Sequence, residues 1–164
     1  MNFSFEEVEG FIFDFDGVLT DNKVYLNQYG VESVACSRAD GLGFDVLKKI
    51  NKPVWIFSTE RNEVVLKRAN KLRVAVINAI SNKFDSLNKL AEKEALNLSN
   101  CVYVGNDLND YHAMNLCGLK ICPSDAHNDI KKISDVILEV EGGAGVVREI
   151  LEKTFKLNFL EYLK

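Results

Sequence analysis

The amino-acid sequence predicts an α/β fold, a parallel sheet packed between two layers of helices. Two observations carry that expectation. Six short, nearly continuous apolar runs, at 10–15, 53–58, 74–77, 101–105, 119–122 and 136–139, read as strands buried on both faces. Stretches with helical spacing alternate with them, at 41–50, 62–72, 83–96, 108–117, 126–133 and 144–156. Parallel strands need a crossover between each pair, and a helix is the usual one. A third observation marks the exception. Residues 22–37 hold two alternating, strand-like halves with Tyr29-Gly30 near the turn, which predicts a β-hairpin inserted after the first strand.

Each element has its own warrant. In the first run, GFIFDF, side chains two apart share a face, so Phe13 and Phe15 point one way while Asp14 and Asp16 point the other. The runs PVWIFS, VAVI, CVYVG, LKIC and DVIL are strand-length and β-branched or aromatic. Among the helices, KFDSLNKLAEKEAL is clearest: Phe84, Leu87, Leu90 and Ala91 fall on one face. No repeat, linker or low-complexity tract interrupts the series, so one domain over residues 1–164 is expected.

Composition bounds the function. With 47% apolar and 27% charged residues, the chain is neither apolar-poor nor charge-blocked, which excludes disorder. At 164 residues it should bury about 69% of its unfolded surface, a core that needs no disulfide or zinc staple. A net charge of −4 without a basic stripe argues against nucleic acid. Charges interrupt every apolar stretch well short of the ~20 residues a membrane span needs. The start, MNFSFEEVEGF, is acidic where a signal peptide is basic, so a cytoplasmic chain is expected. Cys36, Cys101, Cys117 and Cys122 form no CxxC pair and read as reduced, mostly buried thiols.

Ligands of open parallel sheets bind beyond the carboxyl ends of the strands. The first strand delivers Asp14-Phe15-Asp16-Gly17 there, and the second Ser58-Thr59-Glu60-Arg61. Lys83 follows the third, and Gly105-Asn106-Asp107, with Asp110, follows the fourth. Two carboxylates at the end of an apolar strand repel each other and lose solvation unless a cation holds them, and a hard divalent ion with oxygen ligands is the natural one. An EF-hand loop also begins DxD, but from Asp14 its fifth and sixth positions would be Val18 and Leu19, so that reading fails. Taken singly, Ser58 is as well explained as a helix cap, Lys83 as a solvated surface residue, and Asp107 and Asp110 as partners of a helix dipole. Together they supply a nucleophile, an acid, a metal cage and a phosphate clamp.

FDFDGVLTD, then Ser58, Lys83 and GNDLND, resembles the four-part signature of the haloacid dehalogenase superfamily of phosphotransferases. The hairpin, the RADGLGF stretch and the late GGAGVVRE run resemble the small, capless, tetrameric sugar-acid phosphatases within it. The match covers roughly residues 10 to 155. It implies a Rossmann-like three-layer sandwich with no cap domain. Asp14 matches the nucleophile that becomes an aspartyl-phosphate, and Asp16 the general acid–base. Ser58, Thr59 and Lys83 match the phosphate-binding groups. Mg²⁺ would be held by Asp14, Asp16 through its backbone carbonyl, and a residue of the fourth motif. Members of this group usually carry aspartate directly after that glycine, where this chain has Asn106, so Asn106 and Asp107 are both metal candidates.

The resemblance also implies a homotetramer in which hairpins and tails cover neighbouring sites. Its octulosonate branch typically shows TGR after the second strand. Ser58-Thr59-Glu60-Arg61 is closer to the nine-carbon branch, in which residues at the places of Glu60 and Lys71 contribute to sugar recognition. Glu60, Arg61, Arg68, Lys71 and Arg38 are the candidate substrate-binding residues. The expectation is therefore a phosphatase of a nonulosonate, sialic-acid-type 9-phosphate. The alternatives are a 3-deoxy-octulosonate 8-phosphate phosphatase and a non-catalytic oligomerisation module of sialic-acid activation.

Overall fold

The computed structural model describes residues 3–162. Six parallel strands form its sheet: β1 (Gly10–Asp14), β4 (Val54–Phe57), β5 (Ala75–Ile77), β6 (Cys101–Val104), β7 (Leu119–Cys122) and β8 (Val136–Ile137). The order across the sheet is β5-β4-β1-β6-β7-β8. All six match runs expected from the sequence. The order reverses beside β1, whose Phe13 registers with Ile56 on one side and Val104 on the other. Such a reversal opens a crevice at the carboxyl edge.

The pleat sorts the core into two layers. Phe11, Phe13 and Phe15 pack on one face, against Phe44 and Leu47 of α1 (Arg38–Lys49) and Val146 and Val147 of α6 (Val146–Glu149). Ile12, Phe57 and Tyr103 pack on the other, against Leu87 and Leu90 of α3 (Lys83–Glu94), Met114 of α4 (Tyr111–Met114) and Ile130 of α5 (Asn128–Ile133). A helical segment continues α6 through Ile150–Thr154, and α7 spans Phe159–Tyr162.

Capping sets the boundaries that spacing alone misplaces. α1 starts at Arg38, not near 41, because the Ser37 hydroxyl accepts the Ala39 N–H. α2 (Glu63–Leu72) begins behind Asn62, whose Oδ1 accepts the Val64 N–H, and α3 behind Asn82. The helix expected at 108–117 contracts to α4, because its amino-terminal part folds into the turn that carries Asp107 to Asp110.

The inserted hairpin is present but slight. β2 (Tyr25–Leu26) and β3 (Glu32–Ser33) pair antiparallel, and one bridge joins Thr20 to Cys36 at its base. Asn27 makes the turn, its side-chain oxygen accepting the N–H groups of Tyr29 and Val31. Tyr29 (81% exposed), Leu26 (67%) and Val31 (56%) leave an apolar tip in water.

Candidate active site

β1, β4 and β6 end side by side, so the first, second and fourth motifs reach one rim. Asp14 closes β1 and is 5% exposed. Its Oδ1 accepts the Phe15 N–H at 2.8 Å and lies 2.6 Å from Lys83 Nζ, which projects from the first turn of α3. The same ammonium donates to Asp110 Oδ1 at 2.7 Å. Lys83 is 2% exposed and Asp110 fully buried, so this is a buried acid–base–acid triad. Two carboxylates share one ammonium, which leaves a net negative charge in a medium that tolerates it poorly. Burial and the Asp110 charge push the Asp14 carboxyl up to about 8, against the pull of Lys83. Burial alone would lower the Lys83 ammonium, yet its two carboxylate partners outweigh burial and hold it above the usual lysine range.

Asp110 is the hub. Its Oδ1 also accepts the buried Tyr103 hydroxyl at 3.0 Å, and its Oδ2 accepts the N–H groups of Asn106 (3.0 Å) and Asp107 (3.4 Å). It makes no side-chain cap on α4; its carboxylate turns inward instead. Gly105 makes this approach feasible, since a Cβ there would meet the Asp110 side chain at 2.7 Å. Sequence reasoning assigns no specific role to either Asp110 or Tyr103. The available signal is the last aspartate of GNDLND, which the helix-dipole reading absorbs.

A cation fits beside Asp14. The Asn106 amide reaches Asp14 Oδ2 at 3.0 Å and the Asp16 carbonyl oxygen at 2.9 Å. With its nitrogen turned to them, the amide donates to both. With Oδ1 turned to them, the amide oxygen stands from each at the spacing of adjacent ligands around an octahedral Mg²⁺, about 2.9 Å for metal–oxygen distances near 2.05 Å. Gly17 (φ 81°) permits the approach, because a Cβ there would collide with the Asn106 amide. Asp107 is exposed and its Oδ1 accepts the Leu108 N–H at 2.7 Å. It lines the cavity, but Asn106 is the fourth-motif side chain against Asp14. No group of three His, Cys, Asp or Glu side chains among the described residues could hold a metal, so any cage here needs the Asp16 carbonyl and the Asn106 amide.

A cavity of about 270 Å³ opens above these groups. Asp14, Asp16 and Asn106 form its floor, Thr59, Glu60 and Asn62 one wall, and the hairpin residues Val24, Glu32 and Val34 another. Asp16 is half-buried, and burial together with the Glu60 charge raises its carboxyl pKa, with Lys83 opposing. Ser58 is buried, and its Oγ accepts the Glu60 N–H at 3.1 Å, leaving its own proton to donate. Of the candidate substrate residues, Glu60 reaches the cavity within one chain. Arg38, Arg61, Arg68 and Lys71 do not line it. Arg68 instead donates to the Ser37 carbonyl at 2.8 Å and ties α2 to the start of α1.

A family model described as haloacid dehalogenase-like hydrolase matches residues 47–150. The chain belongs to this hydrolase family. A relative in Salmonella typhi, 3-deoxy-D-manno-octulosonate 8-phosphate phosphatase, is 32% identical over 148 residues, 90% of this chain and 79% of that protein. Among solved structures, a HAD family hydrolase from Streptomyces avermitilis superposes with a TM-score of 0.89 at 35% identity, covering 91% of this chain and 86% of that one. The 3-deoxy-D-manno-octulosonate 8-phosphate phosphatase of Moraxella catarrhalis, solved with magnesium, phosphate and a KDO molecule, gives 0.87 at 32%, covering 92% and 87%. As a haloacid dehalogenase-like hydrolase, the chain has the parallel sheet and inserted hairpin that its sequence implied and, among the described residues, no cap. No helix among the described residues is long and apolar enough to cross a membrane.

Proposed function

We propose that this chain is a Mg²⁺-dependent phosphatase of a 3-deoxy sugar acid, with 3-deoxy-octulosonate 8-phosphate as the leading substrate. The observation that carries the reaction is the buried Asp14–Lys83–Asp110 triad beside the Asn106 amide, which reaches both Asp14 Oδ2 and the Asp16 carbonyl oxygen. Asp14 is the nucleophile: its carboxylate attacks phosphorus and forms an aspartyl-phosphate while the sugar alkoxide departs. Asp16, whose carboxyl pKa burial and the Glu60 charge raise, delivers the proton that the leaving oxygen needs. It then takes one from the water that hydrolyses the acyl-phosphate. Lys83 and the Ser58 hydroxyl offset charge on the transferring phosphoryl group, with Thr59 at the same rim. Mg²⁺, held by Asp14, the Asp16 carbonyl and Asn106, would supply the positive charge that Lys83 alone does not provide.

The relatives' activity supports the eight-carbon substrate over the nine-carbon one favoured by the Ser-Thr-Glu-Arg run, because the named match extends over most of the chain. The nonulosonate 9-phosphate is the second reading, and the observation in its favour is Glu60 on the cavity wall. The exposed Val24, Tyr25, Leu26, Tyr29 and Val31 support a homotetramer built through the hairpins. Four free thiols suit a reducing, cytoplasmic compartment.

Phosphate release from both sugar phosphates, assayed with Mg²⁺, tests this reading. Asp14→Asn should cut turnover by at least about a thousandfold while leaving the fold intact. Undiminished release by that variant would overturn the mechanism. A higher kcat/KM on the 9-phosphate would reverse the order of substrates.

A further inference from the structure

We propose that Glu32, on the inserted hairpin, is a specificity-determining residue that accepts hydrogen bonds from hydroxyl groups of the substrate's leaving group. The proposal rests on the phosphatase reading above and says which part of the substrate the hairpin reads.

Glu32 lines the same cavity as Asp14, Asp16 and Asn106, from the wall opposite the sheet. Its carboxylate is held in place by a residue of the adjoining wall. Oε2 accepts a hydrogen bond from Asn62 Nδ2 at 2.7 Å, and Asn62 is itself fixed, because its Oδ1 accepts the Val64 N–H at 3.0 Å as the N-cap of α2. A single amide, locked at a helix start, thus pins a hairpin carboxylate at the cavity wall. No hydrogen bond within the described residues engages the other oxygen, Oε1.

Charge decides what that oxygen can meet. Asp14, Asp16, Glu32, Glu60 and Asp107 line the cavity, and no lysine or arginine among the described residues does. The phosphate seats at the floor, beside Asp14 and Lys83, whereas the substrate's anionic carboxylate would be repelled from the Glu32 wall. A neutral polyol is not, and an ionised carboxylate accepts hydroxyl protons through bonds roughly twice as strong as those of a neutral acceptor. Holding Glu32 in place requires only a carbonyl oxygen for Asn62, which glutamine would also supply. The negative charge, which helps raise the Asp16 carboxyl, is not needed for that contact, and hydroxyl recognition gives it a use.

The test compares 3-deoxy-octulosonate 8-phosphate with p-nitrophenyl phosphate, which has no hydroxyls to recognise, both with Mg²⁺. In Glu32→Gln, KM for the sugar phosphate should rise about tenfold, as expected for loss of a hydrogen bond to a charged group, with kcat nearly unchanged. The kcat/KM for p-nitrophenyl phosphate should stay within about twofold of the parent. Asn62→Asp keeps a good N-cap but repels Glu32, so it should reproduce the KM rise. An unchanged KM for the sugar phosphate in Glu32→Gln overturns the inference, as does a parallel loss on both substrates. If the parent enzyme itself turns over p-nitrophenyl phosphate but no sugar-acid phosphate, the functional reading falls and this inference with it.

Discussion

The two sides of the cavity differ in how much their polar groups are committed. On the sheet side, Asp14, Lys83 and Asp110 are at most 5% exposed, and Asp14 Oδ1 and both Asp110 oxygens have partners. On the hairpin side, Val24 and Glu32 are exposed, and Glu32 is held by a single amide from Asn62. The difference separates two tasks. Groups that face a developing charge must be fixed before the reaction, because reorganising them during it would cost part of the barrier they lower. Groups that read a flexible polyol need only present acceptors, and water can occupy them between turnovers. The sheet side should therefore couple to stability and the hairpin side to selectivity.

The strongest way to break that division is to remove the hub. Asp110→Ala leaves the Tyr103 hydroxyl and the N–H groups of Asn106 and Asp107 without their acceptor, and Lys83 with one carboxylate. Breaking a buried ion pair from one side costs about 3–5 kcal/mol, and urea denaturation should register a loss of that size. Glu32→Ala on the hairpin wall, where the side chain is exposed, should stay within about 0.5 kcal/mol. Equal losses at the two positions would erase the distinction.

A second buried carboxylate sharpens it. Asp40 on α1 is as buried as Lys83, but only its Oδ1 has a partner, the Val147 N–H at 2.8 Å, while Oδ2 has none. Burial pushes its carboxyl up to about 6, against the N–H groups of Val147 and Arg148 and the Arg68 charge. A native carboxyl that titrates above its unfolded counterpart binds more protons than the unfolded chain in that interval. Its stabilising effect is therefore full below about pH 4 and is lost as pH rises through about 6. The amide introduced by Asp40→Asn has no such proton to lose. The stability of the parent relative to that variant should accordingly fall by roughly 2–3 kcal/mol between pH 4 and 7. A flat difference would mean that Oδ2 finds a partner in solution.

How far the sequence could be read follows the same division. All six strands were legible, because burial on both faces leaves apolar runs that periodicity detects, and Asp14, Ser58, Lys83 and Asn106 could be placed at one rim from strand ends alone. Asp110 was harder to read. Its role depends on a side chain turning back past Gly105 to meet Lys83, residues 27 apart in the chain, and no local pattern encodes that contact. Glu32 was less legible still. It lies on a two-residue strand with both neighbours exposed, where no hydrophobic alternation fixes which way a side chain faces. Of the cationic candidates, Arg68 is engaged by the Ser37 carbonyl, a contact between α2 and the start of α1 that no pattern within either segment encodes.

The smallest expected effect concerns the residue that departs from its group. In the proposed cage Asn106 would offer a neutral oxygen where an aspartate would offer a charged one. Ligand charge is a principal lever on divalent-ion affinity, so Asn106→Asp should tighten Mg²⁺ binding about tenfold, measured by calorimetry on the free enzyme. Protons compete for the same site. With Asp14 pushed up to about 8, Mg²⁺ must displace a proton at lower pH, and parent affinity should rise from pH 6 to pH 8 with proton release on binding. The aspartate variant brings a second carboxylate against Asp14, which raises the proton affinity of the pair and steepens that dependence. If Asn106→Asp leaves both affinity and its pH slope unchanged, the amide does not face the ion, and Asp107 becomes the fourth-motif group to test next. Either outcome bears on the sheet side alone: the ratio of sugar phosphate to p-nitrophenyl phosphate turnover, which reports on the hairpin wall, should not move.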